Sequence, residues 1–187
     1  MRCFISISIP DGIKKGMTAI QERLKKAGAD VSWTRPEGMH LTLKFLGEIE
    51  EERLKEIGTA LSLSVIGIKP FSLDVSGIGT FPDIRRPRVI WIGLKEDGNN
   101  MIELQRNVEK ELEKLGFAAE KRGFTPHITL GRIRSPKNIE RLLNLVDEEK
   151  AIDLDGFEVT NIHLMQSELR PAGAIYTELI SVELMES

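Results

Sequence analysis

Residues 39–49 read MHLTLKFLGEI, and residues 125–134 read TPHITLGRIR. Inside them sit two copies of one phrase: His40-Leu41-Thr42-Leu43 and His127-Ile128-Thr129-Leu130. The chain has 3 histidines, and two of them occupy this phrase. The copies lie 87 residues apart, close to half of the 187-residue length. A single His-x-Thr is a weak signal, as readily a structural histidine as a functional one. Two copies with the same apolar partners suggest two similar halves, each delivering a His and a Thr to one place.

The surroundings repeat as well. Residues 2–9 alternate as a strand does. Ile13, Met17, Ile20 and Leu24 fall at helical spacing, and Gly28 stands where a helix ends. A loop over 28–38 precedes the first phrase, which reads as a strand. A helix is expected within 51–66, then a strand over 71–81 and a turn at 82–87. The second pass starts with the strand RVIWIGL at 88–94. Leu104, Val108, Leu112 and Leu115 form a helical stripe closed by Gly116, and a loop over 116–126 leads to the second phrase. Ser135-Pro136 reads as an N-cap and first-turn proline, opening a helix to about Val146. Strands near 152–166 and 174–184 close the chain. The expected fold is α+β: one bilobed domain over 1–187, duplicated internally at roughly 1–84 and 85–187. Two lobes related by an approximate two-fold axis would each hold a mostly antiparallel sheet and helices, with a cleft between them.

Side chains at i and i+2 on a strand share a face. His40 therefore points with Thr42, and His127 with Thr129. Leu41, Leu43 and Phe45, and likewise Ile128 and Leu130, are expected to face the cores. Two imidazoles across a small cleft suit general acid–base catalysis, one neutral and accepting a proton, the other charged and donating one. Such a pair fits in-line displacement at phosphorus, and threonine hydroxyls can donate to the non-bridging oxygens. No metal is needed, and no carboxylate-rich motif offers to hold one. The lone Cys3 excludes an internal disulfide and a thiolate cluster. His163 lacks a Thr at +2 and lies opposite the apolar face of Ile162 and Leu164; it reads as structural or solvated.

Apolar residues make up 41% and charged residues 29%, as in an ordinary globular chain. No apolar run is long enough to span a membrane, and the start lacks the pattern of a signal peptide, so a cytoplasmic location is expected. The net charge of −3 argues against coating a nucleic acid but allows a local basic cleft. Contacts to RNA ends would come from stacking aromatics and from cations near phosphates. Lys44 shares the expected face of His40 and Thr42. Phe124 precedes the second phrase beside Lys121 and Arg122. Trp33 and Arg35 precede the first, and Phe81 stands near Arg85, Arg86 and Arg88.

At HLTLKFLGEI and TPHITLGRIR, with MRCFISISIP and SELRPAGAIYTEL, the chain resembles the two-histidine phosphoesterase superfamily, within it the RNA 2′,3′-cyclic phosphodiesterases, also called 2′-5′ RNA ligases. The resemblance spans essentially the whole chain. It implies hydrolysis of RNA 2′,3′-cyclic phosphate ends to 2′-phosphates without a cofactor, and possible ligation through a 2′-5′ linkage. It implies His40 as proton donor, His127 as proton acceptor, Thr42 and Thr129 as phosphate ligands, and an arginine five residues after the second histidine, Arg132. Strict alternation puts Arg132 opposite His127, so it reaches the site only if a bulge or twist near Gly131 turns it, or if it works from the strand's end. The expected partners are RNA ends or nucleoside 2′,3′-cyclic phosphates, with the protein a monomer needing no protein partner. The competing readings are a non-catalytic module binding nucleotides or RNA ends, and a related enzyme acting on another cyclic or oligonucleotide phosphodiester.

Overall fold

The computed structural model describes residues 1–186. In chain order it contains β1 (Arg2–Ser8), α1 (Asp11–Leu24), β2 (Val31–Trp33), β3 (His40–Glu48), α2 (Leu54–Ser64), β4 (Phe71–Phe81), β5 (Val89–Lys95), α3 (Asn100–Glu113), β6 (His127–Ile133), α4 (Ile139–Glu148), β7 (Asp153–Val159), β8 (Asn161–Arg170) and β9 (Gly173–Glu183). Two sheets form, one in the order β3-β1-β8-β9 and one in the order β2-β6-β5-β4-β7. Their strand pairings are antiparallel.

Each sheet draws strands from both halves of the chain. β4 leaves the first half to pair with β5 and β7, while β8 and β9 return from the second half to sit beside β1. The polypeptide therefore ties the two sheets together by exchange of strands. The helices supply apolar stripes to one continuous core. Ile13, Met17, Ile20 and Leu24 of α1 are buried, as are Met101, Leu104, Val108 and Leu112 of α3. Spacings of three and four residues put these side chains on one helical face, against a sheet. Gly28, with φ 63°, takes the left-handed conformation that ends the first helical segment.

Three boundaries differ from the sequence reading. Val31–Trp33 is not loop but a short edge strand on β6; three residues are too few for a period to show. The strand expected over 152–166 is two strands in different sheets, parted at Thr160. Apolar alternation slips phase there, from Phe157 and Val159 to Ile162 and Leu164, and the polar pair Thr160-Asn161 was the available mark. The last helix begins at Ile139, three residues beyond the Ser135-Pro136 signal. Its entry residue Asn138 has φ 53°, and its side-chain amide donates to the Gly28 carbonyl at 3.0 Å. An asparagine tolerates the left-handed region well, and this bond holds it there.

Candidate active site

β3 and β6 lie in different sheets and touch one another. Each begins with a histidine, and each carries the same irregularity. On β3 the register with β1 passes from Ser6↔Thr42 to Ile5↔Lys44, leaving Leu43 as an extra residue. On β6 the register with β5 passes from Trp91↔Thr129 to Ile90↔Gly131, leaving Leu130 extra. A one-residue bulge reverses the phase of everything after it. Leu43 and Lys44 are both buried in succession, as are Leu130 and Gly131.

The consequence for the site is direct. Beyond the bulge, Arg132 returns to the face of His127 and Thr129, where it is exposed. The bulge that the sequence reading required to turn it is present at Leu130. The same bulge on β3 overturns two expectations. Phe45 does not enter the core; it faces the side of His40 and Thr42 and is 67% exposed. Lys44 goes to the opposite face, where it is 6% exposed. Its ammonium donates to Glu109 Oε2 at 2.7 Å and to the Ala118 carbonyl at 2.8 Å. A buried ammonium requires such partners, and these hold it away from the cleft.

The bulge on β6 is pinned from behind. Gln21 of α1 is 3% exposed, and its amide nitrogen donates to the carbonyls of Leu130 and Thr34, both at 2.8 Å. A Cβ on Gly131 would stand 2.6 Å from Val31 Cγ1 and 3.1 Å from the Trp33 ring. Only glycine lets β2 lie that close. Trp33 is thus half-buried cover for β6 rather than a free ring.

The histidines are held differently. The His40 ring stacks on Phe4 with centroids 4.6 Å apart and meets Tyr176 edge-on at 5.4 Å. Phe45 lies 6.0 Å from Phe4, completing an aromatic group beside His40. Burial among these rings, aided by the Lys14 charge, lowers the His40 pKa from 6.5 to about 4. His127 has Phe81 edge-on at 4.9 Å, and its Nδ1 lies 2.7 Å from the Thr125 carbonyl oxygen. A carbonyl only accepts, so Nδ1 carries the proton and Nε2 is left as the basic nitrogen of the neutral ring. Phe81 leans on Trp91 at 5.1 Å. The Trp91 ring in turn lies on Gly79, where a Cβ would come within 2.3 Å of it.

Thr42 and Thr129 are half-buried on the faces of their histidines. Of the looser candidates, Phe124 packs partly against the core. Arg35, Arg85, Arg86, Arg88, Lys121 and Arg122 are exposed. A cavity of about 500 Å³ lies between α2 and α3, and no residue of either phrase lines it. The residues that reading by alternation missed are Phe45 and Tyr176. Phe45 stands at the fifth place after its histidine, as Arg132 does, and that symmetry was the available signal.

The family description "LigT like Phosphoesterase" matches the chain twice, over residues 7–91 and 92–176, and the chain belongs to that family of phosphoesterases. Among its relatives, a Methanothermobacter thermautotrophicus protein named RNA 2′,3′-cyclic phosphodiesterase is 36% identical over 179 residues, covering 96% of each chain. One of the same name from Methanocaldococcus jannaschii is 39% identical, covering 94% of this chain and 96% of its own. A solved Thermus thermophilus structure superposes with a TM-score of 0.80 at 25% identity, covering 98% of each chain. Escherichia coli LigT in complex with 3′-AMP shares the fold, with a TM-score of 0.74 at 24% identity and coverage of 98% and 97%.

Proposed function

We propose that this protein opens 2′,3′-cyclic phosphate ends of RNA, using two histidines and no metal, and leaves a 2′-phosphate. The relatives' shared name supports the substrate class. The observation that carries the mechanism is the pair of bulged strands, each presenting histidine, threonine and the residue five places on along one face.

His127 acts as the base. Its Nε2 takes a proton from a water as the water oxygen bonds to phosphorus. The bond from phosphorus to the ribose O3′ breaks on the opposite side, and His40 gives its proton to that oxygen. The thermodynamic demand on His40 is specific: in the free protein burial keeps it neutral. A phosphodiester anion placed against it favours the imidazolium and raises its pKa, so the substrate itself arms the donor. Thr42, Thr129 and Arg132 donate to the non-bridging oxygens, whose negative charge is the feature to be stabilised in the transition state. Phe45 offers an exposed ring for the terminal base, since stacking accepts any base. Lys44 has no part, its ammonium being held on the opposite face; Phe124, partly packed against the core, adds a weaker candidate ring beside the second phrase.

The test is incubation with a nucleoside 2′,3′-cyclic phosphate in EDTA, with the product isomer identified. Opening to the 2′-phosphate is expected. Activity lost in chelator and restored by a divalent ion would overturn the mechanism. Running the same assay with a 5′-hydroxyl RNA acceptor in place of water reads out any 2′-5′ ligation.

A further inference from the structure

His163, the third histidine, is the titratable group that the reaction leaves unused. Its place in the sheet is informative. β1 pairs Ser6 with both Thr42 and His163, so Thr42, Ser6 and His163 stand in one row on one face. His163 is therefore on the cleft side of its sheet, two strands from β3, roughly 10 Å from Thr42 at the usual strand spacing. Beyond the Ser6–His163 pair, β1 and β8 part. A recess of about 260 Å³ opens there, lined by Ser8, Glu158, Thr160, Asn161 and His163 among others. Ser8 is the residue paired with His40. The recess is thus one strand away from the candidate proton donor, while Phe45 lies in the other direction along β3, opposite Phe4.

The chemistry of the recess is mixed. The side chain of His163 is 13% exposed, and its Nδ1 lies 2.9 Å from Glu178 Oε2, an ion-pair distance. The atom is buried and has no aligned hydrogen bond. Asn161 and Thr160 bond to one another, and the Asn161 amide nitrogen donates to Ser181. Two carboxylates, Glu158 and Glu178, stand at the recess or against its histidine. Such a set repels a phosphate and suits neutral groups that both donate and accept, namely ribose hydroxyls and base edges.

We infer that this recess is a second nucleoside subsite, and that His163 and Asn161 hold the residue preceding the cyclic-phosphate end of an RNA strand. The inference rests on the proposed phosphodiesterase activity and makes chains of two or more nucleotides its preferred substrate. The terminal base takes the Phe45 side of His40, and the strand continues toward β8.

The experiment compares kcat/KM for a dinucleotide ending in a 2′,3′-cyclic phosphate with that for the matching nucleoside 2′,3′-cyclic phosphate. The wild type should favour the dinucleotide about five- to tenfold, the worth of one or two hydrogen bonds. In His163→Ala, and separately in Asn161→Ala, the loss should fall on the dinucleotide and bring the ratio toward one. A wild-type ratio near one overturns the inference. So does a ratio that either folded variant leaves unaltered, or an equal loss on both substrates, which would mark a purely structural role. Failure of the wild type to open either substrate would instead overturn the phosphodiesterase activity itself.

Discussion

β3 and β6 share a backbone and differ in what that backbone delivers. Each starts on a histidine, places a threonine two residues on, and inserts one extra leucine, Leu43 or Leu130. After that bulge the residue facing the cleft is Phe45 on one strand and Arg132 on the other. The residue facing back is Lys44 on one and Gly131 on the other. The shared part is geometry, which sets where a side chain points. The unshared part is chemistry: an apolar ring beside the candidate donor, and a cation beside the candidate base. A duplicated scaffold has in this way become a site with two unlike sides, as an acid–base displacement requires.

Removing the histidines should erase the comparison altogether. His40→Ala and His127→Ala are each expected to cost about 10²–10⁴ in rate, the worth of positioned acid–base catalysis. The double variant should cost much less than the product, because both serve one concerted step. A substrate with a good leaving group needs little proton donation. It should restore His40→Ala and not His127→Ala; the reverse pattern would exchange the two roles.

The residues after the bulge sharpen it. Arg132→Ala should lower kcat about 10²–10³-fold, as loss of one preorganised donor does. Phe45→Ala should lower kcat/KM about tenfold, within the roughly 1–3 kcal/mol of a base stack, with a larger effect on nucleotides than on a small phosphodiester lacking a base. Equal losses in the two variants on both substrates would show that the two strands do not divide their labour.

The first four residues of each phrase were legible because alternation holds over 40–43 and 127–130. It failed at the fifth, because a bulge leaves no periodic trace. On β6 Gly131 hinted at it, being a residue that strands avoid. On β3 the same place is held by Lys44, which looks like an ordinary exposed lysine and gives no warning. The aromatic setting of His40 was hidden for another reason. Phe4 and Tyr176 come from strands at opposite ends of the chain, joined only by the sheet order. The exchange of strands between halves was hidden likewise, since a pattern of elements does not say which sheet each joins.

Lys44 then provides a test in which stability moves and chemistry does not. Lys44→Ala takes the ammonium away from Glu109, which keeps only the longer bonds from Gln105 and the Glu120 N–H, and from the Ala118 carbonyl; breaking a buried pair from one side costs about 3–5 kcal/mol. Urea unfolding should show that loss, reduced by the partial exposure of Glu109 and largely recovered in Lys44→Met with Glu109→Leu. The kcat of the folded fraction should stay within about twofold of wild type, as for a substitution outside the machinery. A large fall in kcat with unchanged stability would return Lys44 to the cleft.

A further expected effect concerns acid stability, and it bears on the unlike settings of the two histidines. Burial among Phe4 and Tyr176 holds the His40 pKa at about 4 in the folded protein. Unfolded, the same ring titrates near its ordinary value of about 6.5. Between these values the unfolded chain binds the proton and the folded one does not, so protons favour unfolding. The contribution of His40 is therefore fully present above about pH 6.5 and is lost as pH falls toward about 4, with no further loss below that. Carboxylates titrate in the lower part of this window too, so the measurement is a difference: urea midpoints of the wild type and of His40→Asn, from about pH 7 to about pH 4. The wild type should fall more steeply. Inorganic phosphate at saturating concentration should flatten the wild-type curve, since an anion against His40 raises the folded pKa toward the unfolded one. It should do so far less in His40→Asn. If phosphate stabilises both proteins equally across the whole range, the anion does not sit against His40, and the substrate cannot be what charges it.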